Sequence, residues 1–193
     1  MGGRQTRKRK LYPAIAIVGE GITESIYFSQ MRQQEDLQFT VKPDIGKSSG
    51  VDSIVNKALE LLEKEYDMVF CVIDMDELIR DATLMKKYKE LRKENDDKGL
   101  VFIETHPCTE FWFLLHYVYT TKAYTSYSQL QKELRKHLPS YEKTEKYLAG
   151  NNIYKQLKPN QPTARSNAEK TGSSGKGGSR SEIYKILDYL GVQ

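Results

Sequence analysis

The stretch IAIVGEGITESIYF, residues 15–28, changes from a strand pattern to a helix pattern across two glycines. Its first part, IAIV, is the short apolar run typical of a buried strand, and ITESIYF continues at helical spacing. Between them lies Glu20, flanked by Gly19 and Gly21, and Glu24 follows four residues later. The two glycines would leave room for a phosphate to approach, so this turn is the first candidate for a functional site.

The first 120 residues repeat this alternation of strands and helices. The clearest strand is MVFCVI, residues 68–73, because a continuous run of branched apolar residues is typical of a central parallel strand. The predicted strands are 14–18, 38–41, 68–73 and 100–104. The predicted helices are 23–33, a helix from Asp52 or Ser53 to about residue 66, 81–95 and 109–119. This alternation predicts a doubly wound α/β core with a mostly parallel sheet over residues 13–120.

The C-terminal third of the chain has a different pattern. After about residue 120 the predicted strands stop, and the predicted helices are 126–137, 141–157 and 181–190. We therefore expect a helical extension over residues 121–193, with a mobile Gly/Ser-rich loop at residues 171–179. At the other end, residues 1–12 form a basic tail that is either flexible or in contact with phosphates.

The composition is that of a protein able to bury a core in water. The chain has 193 residues, of which 38% are hydrophobic and 29% charged, and its net charge is +4. No apolar run approaches the roughly 18–20 residues that cross a bilayer, and no secretion signal is recognisable. Two cysteines, Cys71 and Cys108, are too few for a disulfide framework or a CxxC metal site. We therefore expect a cytoplasmic protein with no membrane partner, in which Cys71, Trp112 and His116 pack in the core.

Carboxylates recur where the predicted strands end. They are Glu20, Glu24, Asp74 and Asp76, and around the end of the next strand Glu104 and Glu110, with His106 between them. Ligands of an open parallel sheet bind beyond the carboxyl ends of the strands, and Asp74 and Asp76 point the same way if strand geometry continues through Met75. Crowded carboxylates repel unless a cation or raised pKa values relieve them, and Mg²⁺ and Mn²⁺ prefer carboxylate oxygens. The pattern favours a divalent-cation site, although each acid alone could equally be a helix cap or a solvated residue.

Three spaced motifs resemble a known family. VGEGITE and VIDMDE are similar to the Toprim pattern, a Glu-Gly turn and a later Asp-x-Asp found in topoisomerases, bacterial primases and OLD-family nucleases. Together with HPCTEFWFLLH they resemble the RloB family, which is encoded beside bacterial restriction systems. The third motif of that family usually reads Asn-Pro-Cys-Phe-Glu-x-Trp-x-Leu-x-His, so His106 and Thr109 depart from it here. The resemblance covers nearly the whole chain.

The resemblance implies a Toprim-like fold and a metal-dependent nuclease of anti-phage defence, with RNA and DNA both open as targets. It assigns Mg²⁺ or Mn²⁺ binding to Glu20, Asp74 and Asp76. Glu24 matches the second acid of the first motif in OLD-type nucleases. Glu110 is the further acid, either a second-metal ligand or a general base, unless it only stabilises a helix N-terminus. The competing hypothesis is a non-catalytic module that binds a nucleic acid or a partner protein of a defence system.

Two glycine-rich stretches carry basic residues. GKSSG, residues 46–50, lacks the upstream glycine of a P-loop, because Val41 stands at that position. TGSSGKGGSRSE, residues 171–182, has no predicted strand before it. Both are either flexible loops or clamps for a nucleic acid. The basic residues that would contact phosphates are Lys47, Arg165, Lys170, Lys176 and Arg180.

Overall fold

The computed structural model describes residues 13–37, 40–45, 50–173 and 177–192. In this part of the chain the strands are β1 (Ala14–Gly19), β2 (Thr40–Ile45), β3 (Met68–Asp74), β4 (Leu100–His106) and β5 (Arg180–Ser181). They form one sheet in the order β2-β1-β3-β4-β5. The first four strands are parallel, and β5 is antiparallel to β4. The predicted α/β class with a mostly parallel sheet is confirmed, whereas the basic tail at residues 1–12 lies outside the described residues.

Helices cover both faces of this sheet. They are α1 (Ile22–Gln34), α2 (Val51–Glu63), α3 (Asp76–Arg80), α4 (Ala82–Glu94), α5 (Glu110–Leu115), α6 (Tyr127–Leu134), α7 (Glu145–Gly150), α8 (Ile153–Leu157), α9 (Gln161–Ser173) and α10 (Ile183–Leu190). A short 3-10 turn, Lys158–Asn160, joins α8 to α9. Among the described helices, none has the length and apolar character needed to cross a membrane.

The central strands are buried on both faces. Successive side chains of a strand point to opposite sides of the sheet. Accordingly, Ile17 and Phe70 belong to the core on one face, and Val18 and Cys71 belong to the core on the other. This double burial is the physical reason for the continuous apolar run of β3, and it confirms that Cys71 is a buried small hydrophobe.

The two faces carry different parts of the chain. Helices α2, α3 and α4 cover one face and share a core with the sheet. Helices α1 and α5 cover the other, together with the whole region from α6 to α10. The C-terminal region therefore packs on the core, as predicted. Trp112 and His116 of the aromatic stretch are also buried as predicted, with 0% and 2% of their surface exposed.

Strand β5 is a departure from the prediction that strands stop after about residue 120. Arg180 and Ser181 pair with His106 and Thr105 of β4. A two-residue strand has too few positions to show alternation of apolar and polar residues. Its pairing is decided by the edge of β4, to which the chain returns from α9.

Helix α9 is a second departure, because the sequence pattern does not predict it. Its buried residues are Gln161, Ala164, Asn167, Ala168 and Thr171. These side chains are small or polar, so the apolar periodicity that normally indicates a helix is weak. Pro162 lies in the first turn, where proline is tolerated. Residues 171–173 belong to this helix, so the Gly/Ser-rich loop is shorter than predicted, and residues 174–176 lie outside the described residues.

Residues 141–157 contain two short helices, α7 and α8, where one was predicted. Asn152 lies between them with a left-handed backbone, at φ 45°. Its side-chain oxygen accepts a hydrogen bond from the backbone N–H of Lys155 at 3.1 Å. This cap begins α8 in a new direction, and asparagine is one of the few residues that adopts the left-handed region readily.

Candidate active site

Two parallel strands bring the first acids to one edge of the sheet. β1 ends at Gly19 and β3 ends at Asp74, and the two strands pair in parallel. Glu20 and Asp74 therefore lie at the same carboxyl edge, as predicted, while their roles as ligands stay predictions. The acid rim is the set Glu20, Glu24, Asp74, Asp76 and Glu110.

Asp74 is oriented by threonines of the neighbouring strand and turn. Its Oδ1 accepts hydrogen bonds from Thr105 Oγ1 at 2.7 Å and from the backbone N–H of Thr109 at 3.0 Å. Burial raises the pKa of Asp74 well above its usual value, and the charges of Glu24 and Glu110 raise it further, against the lowering effect of Lys143. The two threonines thus hold the carboxylate in place, while burial and the neighbouring charges destabilise its ionised form.

Asp76 does not continue the strand. Met75 has helical backbone angles, and α3 begins at Asp76. The condition under which Asp74 and Asp76 would point the same way, strand geometry through Met75, is therefore not met. Asp76 Oδ2 instead accepts a hydrogen bond from Arg80 at 3.1 Å, one helical turn on. The same guanidinium nitrogen also bonds the carbonyl of Thr125, so it joins the rim to the chain before α6.

Glu24 is packed into the turn after β1. Its Oε2 accepts a hydrogen bond from the backbone N–H of Gly21 at 3.0 Å, as an acid at the third position of a helix commonly does. A Cβ at Gly19 would lie 2.7 Å from both Cβ and Cγ of Glu24. The space beside Gly19 is therefore filled by Glu24, and the expectation that this glycine leaves room for a phosphate is wrong.

Glu20 is affected both by burial and by the acids around it. Burial raises its pKa from 4.5 to about 7, and the charges of Glu24, Glu77 and Asp76 raise it in the same direction, while Lys143 lowers it. At neutral pH this carboxyl group is therefore only partly ionised. A cation that binds here would compete with a proton on Glu20.

Glu110 is enclosed by protein donors. The residue is 0% exposed. Its Oε1 accepts hydrogen bonds from the hydroxyls of Thr23 at 3.1 Å and Tyr141 at 3.2 Å. The ammonium of Lys143 lies 3.0 Å from Oε1 and 3.3 Å from Oε2. The fifth acid of the rim is thus a buried, fully bonded carboxylate paired with a lysine.

Glu104 does not join the rim, although it also lies near a strand end. It pairs in register with Ile73, one position before the pair of Asp74 and Thr105. Thr105 bonds Asp74, and because side chains alternate along a strand, Glu104 points to the opposite face. There its carboxylate bonds Tyr88, and it forms ion pairs with Arg92 at 2.7 Å and Arg180 at 2.5 Å. These cations lower the pKa of Glu104 despite its burial, so this cluster is neutralised by the protein itself.

The donor chemistry of the acid rim fits a hard divalent cation. All five side chains offer carboxylate oxygens, which Mg²⁺ and Mn²⁺ prefer. In the described part of the chain, however, no group of three or more His, Cys, Asp or Glu side chains is already arranged to hold a metal ion. The carboxylates are not gathered around one point because Asp74, Glu24 and Glu110 each accept hydrogen bonds from other groups of the protein. An ion would have to draw these side chains together.

A model of a protein family matches most of the chain. It describes an RloB-like protein and matches residues 15–190. The chain belongs to the RloB-like protein family. The matched range includes the whole acid rim and all of the described helices and strands except the first residue of β1. No curated protein and no solved structure matches the chain.

The basic residues that were predicted to contact phosphates in this RloB-like protein do not share one environment. Arg165 forms an ion pair with Asp188 at 2.5 Å and also bonds the carbonyl of Val192. Lys170 lies over the ring of Tyr119, at 6.0 Å from the ring centroid. Arg180 is bonded to the Glu104 cluster, whereas the residues at positions 47 and 176 lie outside the described residues. Nucleic-acid contact by the five basic residues, Lys47, Arg165, Lys170, Lys176 and Arg180, stays a prediction.

The residues that surround the rim are the ones that sequence reasoning missed. They are Thr23, Thr105, Thr109, Tyr141 and Lys143. Thr109 belongs to the third family motif, and its place beside Glu110 could have indicated that it contacts the rim. Lys143 and Tyr141 lie in a stretch, YEKTEK, whose pattern carries no sign of a link to the strand ends. Only the packing of the C-terminal region against α1 and α5 brings them to the rim.

Proposed function

We propose that this RloB-like protein is a metal-dependent endonuclease of the Toprim type, which hydrolyses phosphodiester bonds of RNA or DNA. The observation that carries the proposal is the crowding of five carboxylates at the carboxyl edge of a parallel sheet, where burial first, and then the charges of Glu24, Glu77 and Asp76, raise the pKa of Glu20 to about 7. Like charges at close range destabilise a folded protein, so such crowding needs a functional reason. Binding a divalent cation together with a phosphate supplies that reason.

Three acids of the rim then form the proposed cation site. Glu20, Asp74 and Asp76 would hold Mg²⁺ or Mn²⁺, which when bound acts as a Lewis acid on the scissile phosphate. Asp74 is prepared for this by Thr105 and Thr109, which bind its Oδ1 and so fix the direction of its second oxygen. Glu20 must first release its proton. Cation affinity should therefore fall below about pH 7, where Glu20 is mostly protonated.

We also propose that the protein acts on its substrate during defence against phage. The support is membership of the RloB-like family, since the motifs of this chain resemble a family that is encoded beside bacterial restriction systems. Hydrolysis of host or phage nucleic acid would fit that setting. A partner protein of the defence system would then control when the site acts.

The proposal is tested with Asp74→Asn in a cleavage assay. Purified wild type and variant are incubated with single-stranded and duplex RNA and DNA in 5′-labelled form, with Mg²⁺ or Mn²⁺ added or with EDTA. We expect cleavage only with a metal. The variant should lose more than about 100-fold in rate, since loss of a ligand exceeds the 10–100-fold that follows loss of a supporting residue. Its binding of the same oligonucleotides should be unchanged.

The matched control is Asp97→Asn. Asp97 is an exposed aspartate in the turn before β4, at the amino end of that strand and not at the carboxyl edge of the sheet. Its replacement removes the same charge. It should cleave like the wild type. Equal cleavage by the Asp74 and Asp97 variants would end the nuclease proposal for this site.

A non-catalytic binding module is the second candidate, and one observation favours it. The carboxylates of Asp74, Glu24 and Glu110 are already bonded by protein donors, and no ready-made metal group exists among the described residues. A module of this kind would bind nucleic acid equally well with and without a metal. Oligonucleotide binding that is indifferent to EDTA, with no cleavage of any substrate, would decide in its favour.

A further inference from the structure

Lys143 is the one cation that the described structure places against the buried carboxylate of the rim. Its ammonium lies 3.0 Å and 3.3 Å from the two oxygens of Glu110, which is itself 0% exposed. The Thr23 and Tyr141 hydroxyls complete the environment of this carboxylate. Glu110 therefore already has a full positive charge and two hydroxyl donors, and it needs no further cation.

The position of Lys143 is set by the C-terminal region. The residue lies outside helices, in the segment between α6 and α7, and its side chain is 35% exposed. Its ammonium also lies over the ring of Tyr127, at 5.1 Å from the centroid. A cation between an aromatic face and a carboxylate is held from two sides. The ammonium thus has a defined place and does not simply extend into solvent.

The charge of Lys143 also reaches the other acids. Asp74 and Glu20 are each influenced by it, in opposition to the repulsion among the carboxylates. One lysine therefore acts on acids that come from the ends of β1 and β3 and from the start of α5. Lys143 therefore supplies to these acids the positive charge that a second metal ion beside Glu110 would otherwise supply.

We propose that Lys143 takes the place of a second metal ion, so that the acid rim binds one divalent cation per chain. The inference rests on the metal site of the proposed function. Glu110 then serves as the counter-ion that positions Lys143, and three of the other four carboxylates, Glu20, Asp74 and Asp76, hold the single ion. A second divalent ion beside Glu110 is excluded because it would meet the ammonium at contact distance.

The test counts bound Mn²⁺ on the full chain without nucleic acid. Free Mn²⁺ is measured by electron paramagnetic resonance during titration of the wild type, Lys143→Gln, Lys143→Arg and Lys146→Gln. Lys146 is an exposed lysine of α7, three residues away, and its variant removes the same charge. We expect one Mn²⁺ for the wild type, Lys143→Arg and Lys146→Gln. We expect two for Lys143→Gln, since Glu110 has then lost its cation.

The outcomes separate this inference from the nuclease proposal. Two ions in the wild type, or one ion in Lys143→Gln, would overturn the inference while leaving a metal-dependent nuclease in place. No ion in the wild type would remove the metal site on which both depend. Circular dichroism shows whether Lys143→Gln is folded in EDTA. If it is unfolded there, and if it folds when Mn²⁺ is added and binds two ions, a metal ion has replaced the ammonium of Lys143, which supports the inference. Failure to fold with Mn²⁺ counts against it.

Discussion

Replacement of Glu20 by glutamine should stabilise the metal-free protein above pH 7 and leave its stability unchanged near pH 4. The pKa of Glu20 is raised from 4.5 to about 7, first by burial and then by Glu24, Glu77 and Asp76. The folded state therefore holds this proton more tightly than the unfolded chain does. Between pH 4.5 and 7 the free energy of unfolding must fall as the pH rises, and the loss is complete above pH 7. Glutamine carries no charge at any of these pH values and avoids the loss.

The magnitude follows from the same pKa. One pKa unit corresponds to about 1.4 kcal/mol, so the rise to about 7 corresponds to about 3 kcal/mol at pH 8. Glu20 is partly exposed, and solvent screening reduces this to about 1–3 kcal/mol. For a chain of this size each kcal/mol changes the Tm by about 2–4 °C, so the variant should melt about 2–12 °C higher at pH 8.

The measurement is urea unfolding in EDTA from pH 4.5 to 8.5. The single tryptophan, Trp112, is fully buried and reports unfolding by its fluorescence. The curves of wild type and Glu20→Gln should converge at low pH and separate as the pH rises. Glu94→Gln, at an exposed position at the end of α4, should follow the wild type throughout. Parallel curves for wild type and Glu20→Gln would refute the reasoning that Glu20 is crowded in the folded state.

Three further predictions concern the rim and its support. Mg²⁺ or Mn²⁺ at a hundred times the Kd should stabilise the wild type by about 2.7 kcal/mol, and Asp74→Asn should blunt the resulting rise in Tm in differential scanning fluorimetry; equal rises would exclude Asp74 as a ligand. Gly19→Ala should cost about 1–3 kcal/mol in urea unfolding, because the new Cβ would lie 2.7 Å from Glu24, whereas Gly150→Ala, with open space around it, should not destabilise. Tyr141→Phe removes one hydroxyl donor from the buried Glu110 and should cost about 1–3 kcal/mol in the same assay, and an unchanged midpoint would contradict the described hydrogen bond.

Much of the sheet was predictable because its strands carry a local signal. A strand buried on both faces needs a continuous apolar run, and β1 and β3 show one. The elements that were missed lack such a signal. Helix α9 buries alanine, glutamine, asparagine and threonine side chains, and β5 is two residues long. Where burial is achieved by small or polar residues, the pattern of hydropathy does not reveal it.

The sequence by itself determined that Glu20 and Asp74 meet at one edge of the sheet. Parallel strands end at the same side, so a glutamate after β1 and an aspartate at the end of β3 must be neighbours once the two strands pair. This conclusion needs only the strand pattern and the rule for parallel sheets. It is independent of the exact contacts of each side chain.

Only the tertiary structure decided what surrounds those acids. Lys143 and Tyr141 come from the segment before α7, more than thirty residues beyond the Glu110 that they contact. Asp76 turns toward Arg80 because helical backbone begins at Met75, which the spacing of the two aspartates does not reveal. Hydropathy and spacing describe which face of an element is buried. The partner of a buried charge depends instead on how distant elements pack, and that is a property of the folded chain alone.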